Sequence, residues 1–323
     1  MYSEIASNKR RSIILIGAFL LVWLAIGAVL GFLVRALSHP SSNSLGSPHS
    51  TSTSLTPVAV GLVVGALIAF AGILYSLVAG QRLVLRTSGA VLADPLKYQQ
   101  LNDLVSALAI GEDISTPTVY VIEDSSPNAF ATGVSPEKAA ITFTSGLLAI
   151  MNREELEGVI SHEMSHIKNR DIRLLLIAGT LIGLAVLLAS VLWRTAFWGS
   201  IGESDDNGGN QLLIVLVAAA ALLTLVGFVF GPLIRLALSR RRESLADASG
   251  VELTRNPAGL LSALKKLQSN DKPFKGMNHA TAAMCIDDPL RHHEGWYHRL
   301  FDTHPPIEDR IAALEKLTVG QTV

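Results

Sequence analysis

Two histidines four residues apart, with a glutamate directly after the first, are the side chains of this 323-residue chain best suited to chemistry. They are His162, Glu163 and His166, in the run HEMSH. Four residues make just over one helical turn, so on a helix both imidazoles project from one face and can hold a single ion. Zinc accepts neutral imidazole nitrogen, and a catalytic zinc keeps one position open for water. Two ligands are not enough, and the sequence offers a third in Glu243, within RRRESLAD. Two histidines and a glutamate form a recognised catalytic zinc set. Glu163 points to the side of such an ion, where it can serve as general base toward a water whose pKa the metal brings to about 7. Asp247 follows Glu243 by four residues, on the same helical face, and is placed to orient a histidine ligand from behind. A bare HExxH is a weak signal, so its setting matters.

That setting is legible locally. Asn152, with Glu155 three residues on, predicts a capped helix from about Arg153 that carries HEMSH. Leu101, Leu104, Val105 and Leu108 recur at helical spacing and predict an amphipathic helix over roughly Pro95 to Ile110. Thr118 to Ile122 and Ala140 to Thr144 are short and rich in β-branched residues, and read as strands. Between them, EDSSPNAFATGVSPE reads as turn-prone. A last helix is expected after His304-Pro305-Pro306, through Arg310 to about Leu317.

The chain is 49% hydrophobic and only 16% charged, which points to a membrane protein. Four uncharged apolar runs are long enough to cross a bilayer: Ile13 to Val34, Val58 to Gly80, Leu174 to Trp193 and Leu212 to Ile234. The first is longer than the core of a cleaved signal peptide and is expected to remain as an anchor. Lys9, Arg10 and Arg11 precede the first run, Arg82 and Arg86 follow the second, Lys168, Arg170 and Arg173 precede the third, and Arg235 with Arg240 to Arg242 follows the fourth. The intervening loops hold no such clusters; Arg35 and Arg194, at span edges, can snorkel. Cationic flanks stay on the cytoplasmic side, so both termini and the residues carrying HEMSH and Glu243 are expected there. HEMSH ends seven residues before the third run and Glu243 lies eight residues past the fourth. Helices continuing out of the bilayer would bring both to a similar height, roughly 10 Å above it.

The expected organisation is therefore a two-span hairpin over 1–80, a first cytoplasmic part with HEMSH over 81–171, a second hairpin over 172–234 and a second cytoplasmic part with the third ligand over 235–323. The fold class is a mostly α membrane protein with an α+β cytoplasmic zinc domain of the HExxH/ExxxD type. The outer loop Ser38 to Pro57 is serine- and threonine-rich and expected to be a flexible tether. His39, His49, His292 and His293 read as solvated. A net charge of -1 gives no field for nucleic acid, and the single cysteine, Cys285, excludes an intrachain disulfide and a cysteine-built metal site.

The blocks NAFATG (Asn128 to Gly133), HEMSHIKNRD (His162 to Asp171), RRRESLAD (Arg240 to Asp247) and THPPIEDRI (Thr303 to Ile311), in that order and with these spans, make the chain resemble the M48 peptidases, most closely their bacterial HtpX-type membrane branch. Many of those proteins have Tyr where this chain has Ser244, a local departure beside the expected ligand. The resemblance implies one zinc ion and endoproteolysis of misfolded or damaged membrane proteins at the cytoplasmic face of the inner membrane. It also implies that Asn128, Ala129 and Phe130 belong to an edge strand on which substrate lies extended, a form of β-augmentation. By the same resemblance, His304 and Arg310 lie near the site, His304 donating to the developing oxyanion and Arg310 supporting the transition state. Two other readings keep the ligands: a dedicated processing protease, and a membrane scaffold that binds zinc without hydrolysis. Glu163 argues against the scaffold, because a structural zinc site has no use for a base there.

Overall fold

The computed structural model describes residues 2–38, 55–201, 207–237, 240–270, 284–286 and 306–319. His39, His49, His292, His293, His304 and residues 39–54 of the serine-rich loop lie outside them. The chain forms two compact units, one of Met1–Ile13, Ser76–Thr180 and Gly231–Val323, the other of Ile14–Tyr75 and Leu181–Phe230.

The second unit is built from parts of four long helices: α1 (Tyr2–Ser38), α2 (Thr56–Thr87), α6 (Asp171–Ile201) and α7 (Asn207–Ala237). Three stretches, Ile5–Leu37, Thr56–Thr87 and Asp171–Trp198, are long and apolar enough to cross a membrane, matching three of the four expected runs. In α7 the apolar stretch among the described residues, Gln211–Gly227, is shorter. Leu21, Leu67 and Phe70 are 67%, 63% and 65% exposed, a surface suited to lipid and costly in water. Within this unit α1 and α2 touch backbone to backbone. A Cβ on Gly27 would lie 2.1 Å from the Gly61 carbonyl oxygen, and one on Gly61 equally close to the Gly27 oxygen. Gly31 and Gly65 continue the seam at four-residue spacing, the small-residue pattern by which apolar helices approach closely.

The first unit holds a four-stranded sheet of β1 (Val91–Leu92), β2 (Thr118–Ile122), β3 (Ala129–Thr132) and β4 (Ala140–Thr144). Its order is β1-β2-β4-β3, with β2 and β4 parallel and the other pairs antiparallel. β4 is buried along its whole length, as a central strand covered on both faces must be. β2 and β4 occupy the expected residues. β3 lies in the stretch whose residues read as turn-prone, where Asn128 and Gly133 bracket only four strand residues; the family resemblance had pointed to it. Helices α3 (Gln99–Gly111), α4 (Ser145–Ile150) and α5 (Arg153–Lys168) follow the chain around this sheet, and α8 (Arg240–Thr254), α9 (Pro257–Gln268) and α10 (Ile307–Val319) complete the unit. Val105, Ile141, Phe143, Leu147, Ile160, Met164, Leu264 and Leu314, none more than 1% exposed, make one core from strands and helices together.

The start of α5 is the expected capping box. Asn152 Oδ1 accepts from the Glu155 backbone N–H at 2.9 Å, and Glu155 Oε2 accepts from the Asn152 N–H at 2.8 Å. Glu155 also accepts from Ser262 Oγ and Lys266 Nζ, both at 2.6 Å, which fixes α5 against α9. The far end corrects one expectation. α5 does not run on into the membrane helix: Arg170 adopts φ +61°, in the left-handed region, and turns the chain between Lys168 and the start of α6 at Asp171.

Candidate metal centre

HEMSH lies on the last two turns of α5, and its side chains are all nearly inaccessible, from Met164 at 0% to His166 at 8%. α8 crosses α5 at this level. A Cβ on Gly250 would come within 3.1 Å of the His162 backbone nitrogen, so the two helices approach closely enough for Glu243 and Asp247 to reach the histidines.

They do so in one arrangement. His162 Nε2 and His166 Nε2 are 3.2 Å apart; Glu243 Oε2 is 3.6 Å from the first and Glu243 Oε1 is 3.7 Å from the second. Zinc bonds of 2.0–2.1 Å directed to tetrahedral corners separate their ligand atoms by about 3.3–3.4 Å. The three donors therefore stand at the spacing one such ion requires. His162, His166 and Glu243 also form a set of metal-capable side chains with ligand atoms within 4.8 Å of one another.

The other imidazole nitrogens face away, each toward a carboxylate. His162 Nδ1 is 2.9 Å from Asp247 Oδ1, and His166 Nδ1 is 2.9 Å from Asp171 Oδ2. Each Nδ1–H donates to its aspartate, which leaves Nε2 to face the ligand cluster and fixes the ring plane. Asp247, expected behind a histidine ligand, lies against His162. Asp171 was not foreseen as a partner: it lies five residues after His166, off the face of a continuous helix, and only the turn at Arg170 brings it back.

Arg310 is drawn fully into the site, 4% exposed. Its Nε and Nη2 donate to Asp247 Oδ2 and Oδ1 at 2.9 and 2.6 Å, a bidentate pair, and Nη1 donates to the Ile286 carbonyl at 3.0 Å. Nη2 also lies 3.3 Å from His162 Nδ1, a contact of charge rather than a hydrogen bond once that nitrogen donates to Asp247. All three guanidinium nitrogens are thus engaged by the protein in this arrangement.

These contacts set opposite charge states on the two histidines. Burial, then the Arg310 charge, push His162 down to about 4 against the pull of Asp247. Burial also acts to lower His166, but its bond to Asp171 and the charges of Glu243, Asp171 and Glu163 override it and push the ring up to about 9. Burial would raise Asp247, yet the Arg310 charge and the bond from His162 hold it near 2. Glu163, 1% exposed, is close enough for its charge to raise the proton affinity of both His166 and Arg310. Among the buried described residues here, four carboxylates (Glu163, Asp171, Glu243, Asp247) face two guanidiniums (Arg242, Arg310). With neutral imidazoles this leaves two uncompensated negative charges, the deficit a divalent cation removes. Donor types, spacing and charge all suit zinc.

Residues 95–318 match the family model for Peptidase family M48. The chain belongs to that family. It is 38% identical over 321 residues to "Protease HtpX homolog" of Streptococcus gordonii, covering 98% of this chain and 100% of that protein. It is 43% identical over 250 residues to the protein of the same name from Caldanaerobacter subterraneus subsp. tengcongensis, covering 76% and 82%. A crystal structure of S. mikatae Ste24p superposes with a TM-score of 0.48 at 19% identity, over 97% of this chain and 67% of that one. Within this M48 chain the remaining expected residues are distributed as follows. β3 is an edge strand of the sheet, and it carries Ala129 and Phe130, 1% exposed each. Asn128 precedes it and caps its start, Oδ1 accepting from the Ala129 N–H at 2.9 Å. The outer side of β3 is occupied: Phe130 bridges Cys285 in antiparallel fashion, and the Ile286 N–H donates to the Ala129 carbonyl at 2.9 Å.

Proposed function

We propose that this chain is a zinc-dependent membrane endopeptidase that cleaves membrane proteins, misfolded or damaged ones foremost, at the cytoplasmic face of the inner membrane. The observation that carries the proposal is the convergence of His162 Nε2, His166 Nε2 and the Glu243 carboxylate at tetrahedral spacing, with Glu163 on the same helix beside them. Zinc, when bound by these three residues, supplies Lewis acidity toward the scissile carbonyl and toward the attacking water. Glu163 takes the proton from that water and passes it to the leaving amine. Asp247 orients His162, while burial and the Arg310 charge keep it neutral. His304, by resemblance, donates to the oxyanion, and substrate lies along β3 at Asn128, Ala129 and Phe130. The one-sided distribution of Lys and Arg supports four spans with both termini and the metal centre cytoplasmic. The names of the relatives accord with this reading.

Purified full-length protein in detergent, loaded with zinc, should cleave an unfolded soluble protein such as casein as well as solubilised membrane proteins. Glu163→Gln should retain zinc while cleavage falls by about a hundredfold or more. Unchanged turnover in that variant would reject the base assignment, and activity confined to one defined peptide would favour a dedicated processing enzyme.

A further inference from the structure

We propose that Asp171 positions His166 for the metal, and that Asn8 and Arg242 hold Asp171 in place, so that the first turns of the N-terminal helix are part of the metal centre. This rests on the zinc reading above, and extends it to a residue 154 positions before the first ligand.

Both oxygens of Asp171 are committed. Oδ2 faces His166 Nδ1 at 2.9 Å, while Oδ1 accepts from Asn8 Nδ2 at 2.6 Å and from Arg242 Nη1 at 3.0 Å. The Asn8 amide also donates to the Asn169 carbonyl at 2.9 Å, on the turn that delivers Asp171, and its Oδ1 lies 3.5 Å from Arg242 Nη1. Asn8, Asp171 and Arg242 are 1%, 2% and 4% exposed. A buried amide and an ion pair are costly to keep away from water unless they are bonded, and here the bonds converge on one carboxylate. That carboxylate has only one remaining direction in which to act, toward His166. An imidazole held at Nδ1 has its plane fixed and its Nε2 aimed, and a carboxylate in this role also raises ligand basicity. Arg242 is the chain neighbour of Glu243, so the same cluster braces two of the three ligands. Nothing in helix geometry demands an asparagine near the start of an apolar helix; its use is in this network. Asn8, Asp171 and Arg242 are positioning residues: none reaches the ligand cluster itself.

The test is zinc affinity, measured by chelator competition on the full-length chain in detergent, together with the visible absorption of the cobalt-substituted protein. Asp171→Ala should weaken zinc binding by about 10- to 100-fold and shift the cobalt bands. Asp171→Asn, whose amide oxygen can still accept from His166, should recover part of that loss. Asn8→Leu should weaken zinc by several-fold with a smaller spectral shift. Ser12→Ala is the control, since Ser12 is also buried on α1 but among the described residues its hydroxyl donates to the Asn8 carbonyl, at 2.9 Å, and not to Asp171. Wild-type affinity and unshifted cobalt bands in Asn8→Leu and Asp171→Ala, whatever their melting temperatures, would overturn the proposal and leave the cluster a packing feature. Should Asp171→Ala fail to fold, Asn8→Leu decides, because it leaves every His166 contact in place. Affinity and spectrum are read without substrate, so a wild type that binds zinc but does not cleave counts against the proteolytic reading alone.

Discussion

Loading the metal-free protein with zinc at neutral pH should expel about one proton, and His166 should be its source. In the metal-free site the ring sits among the carboxylates of Asp171, Glu243 and Glu163 and is pushed up to about 9, so at pH 7 it is protonated. His162, pushed down to about 4, is already neutral and contributes no proton. Stripping His166 at pH 7 therefore costs about 3 kcal/mol, or roughly a hundredfold in apparent affinity, and this penalty shrinks about tenfold per pH unit up to pH 9. The same proton stabilises the metal-free fold. Because the folded-state value lies above the ordinary 6.5, this stabilisation is complete below pH 6.5 and is lost as pH rises through about 9, a change of about 3 kcal/mol. Calorimetric zinc titrations at pH 7 in two buffers of different ionisation enthalpy count the protons, and chelator competition from pH 6 to 10 gives the slope. A zinc affinity that is flat between pH 7 and 9, or the release of two protons, would refute the assignment of opposite charge states to the two rings.

Other outcomes follow from contacts elsewhere. Arg310→Met should leave the Asp247 carboxylate buried without its bidentate partner and destabilise the metal-free protein by about 3–5 kcal/mol, read as a large fall in melting temperature; a change within error would show that Arg310 is dispensable. Gly27→Ala or Gly61→Ala must drive α1 and α2 apart, since the new Cβ would meet a carbonyl oxygen at 2.1 Å, and should cost about 1–3 kcal/mol. Gly17→Ala, with nothing within 4 Å, should be neutral in the same melting assay. Asn152→Ala removes the α5 cap and should cost about 1 kcal/mol without changing the zinc-to-protein ratio, checked by melting and metal analysis together.

What could be read from the sequence was what is encoded over short spacings. The i,i+4 pairs His162/His166 and Glu243/Asp247, the Asn152–Glu155 box and the β-branched runs of β2 and β4 each rest on one helical turn or one strand. The convergence of Glu243 on the histidines was inferred from zinc's need for a third ligand. What residue spacing alone did not reach is all of another kind. β1 is two residues long and has no periodicity to detect. β3 is embedded among Ser, Pro and Asn, whose turn preference outweighs four strand residues. Asp171 depends on a left-handed residue that is not glycine, so no composition signal announces the turn. Asn8 meets Asp171 across 163 positions and Arg310 meets Asp247 across 63, distances over which residue spacing carries no information. An asparagine at the head of an apolar helix was nonetheless an available clue, since such a group must find partners somewhere.

The pairing of β3 with Met284–Ile286 bears on which peptides can be cut. If substrate lies along β3, it gains that edge only by exchange, because a tenant from the chain itself already takes the Ala129 carbonyl. The incoming strand is then in competition with an intramolecular rival that never diffuses away. An extended, unstructured stretch has free backbone groups with which to replace it, whereas a folded protein with every strand satisfied has none to offer. Departure of the tenant would also release one nitrogen of Arg310 from the Ile286 carbonyl, beside the ligands, at the moment a scissile bond arrives. Damage recognition would then require no separate reader: unfolding itself would be the credential.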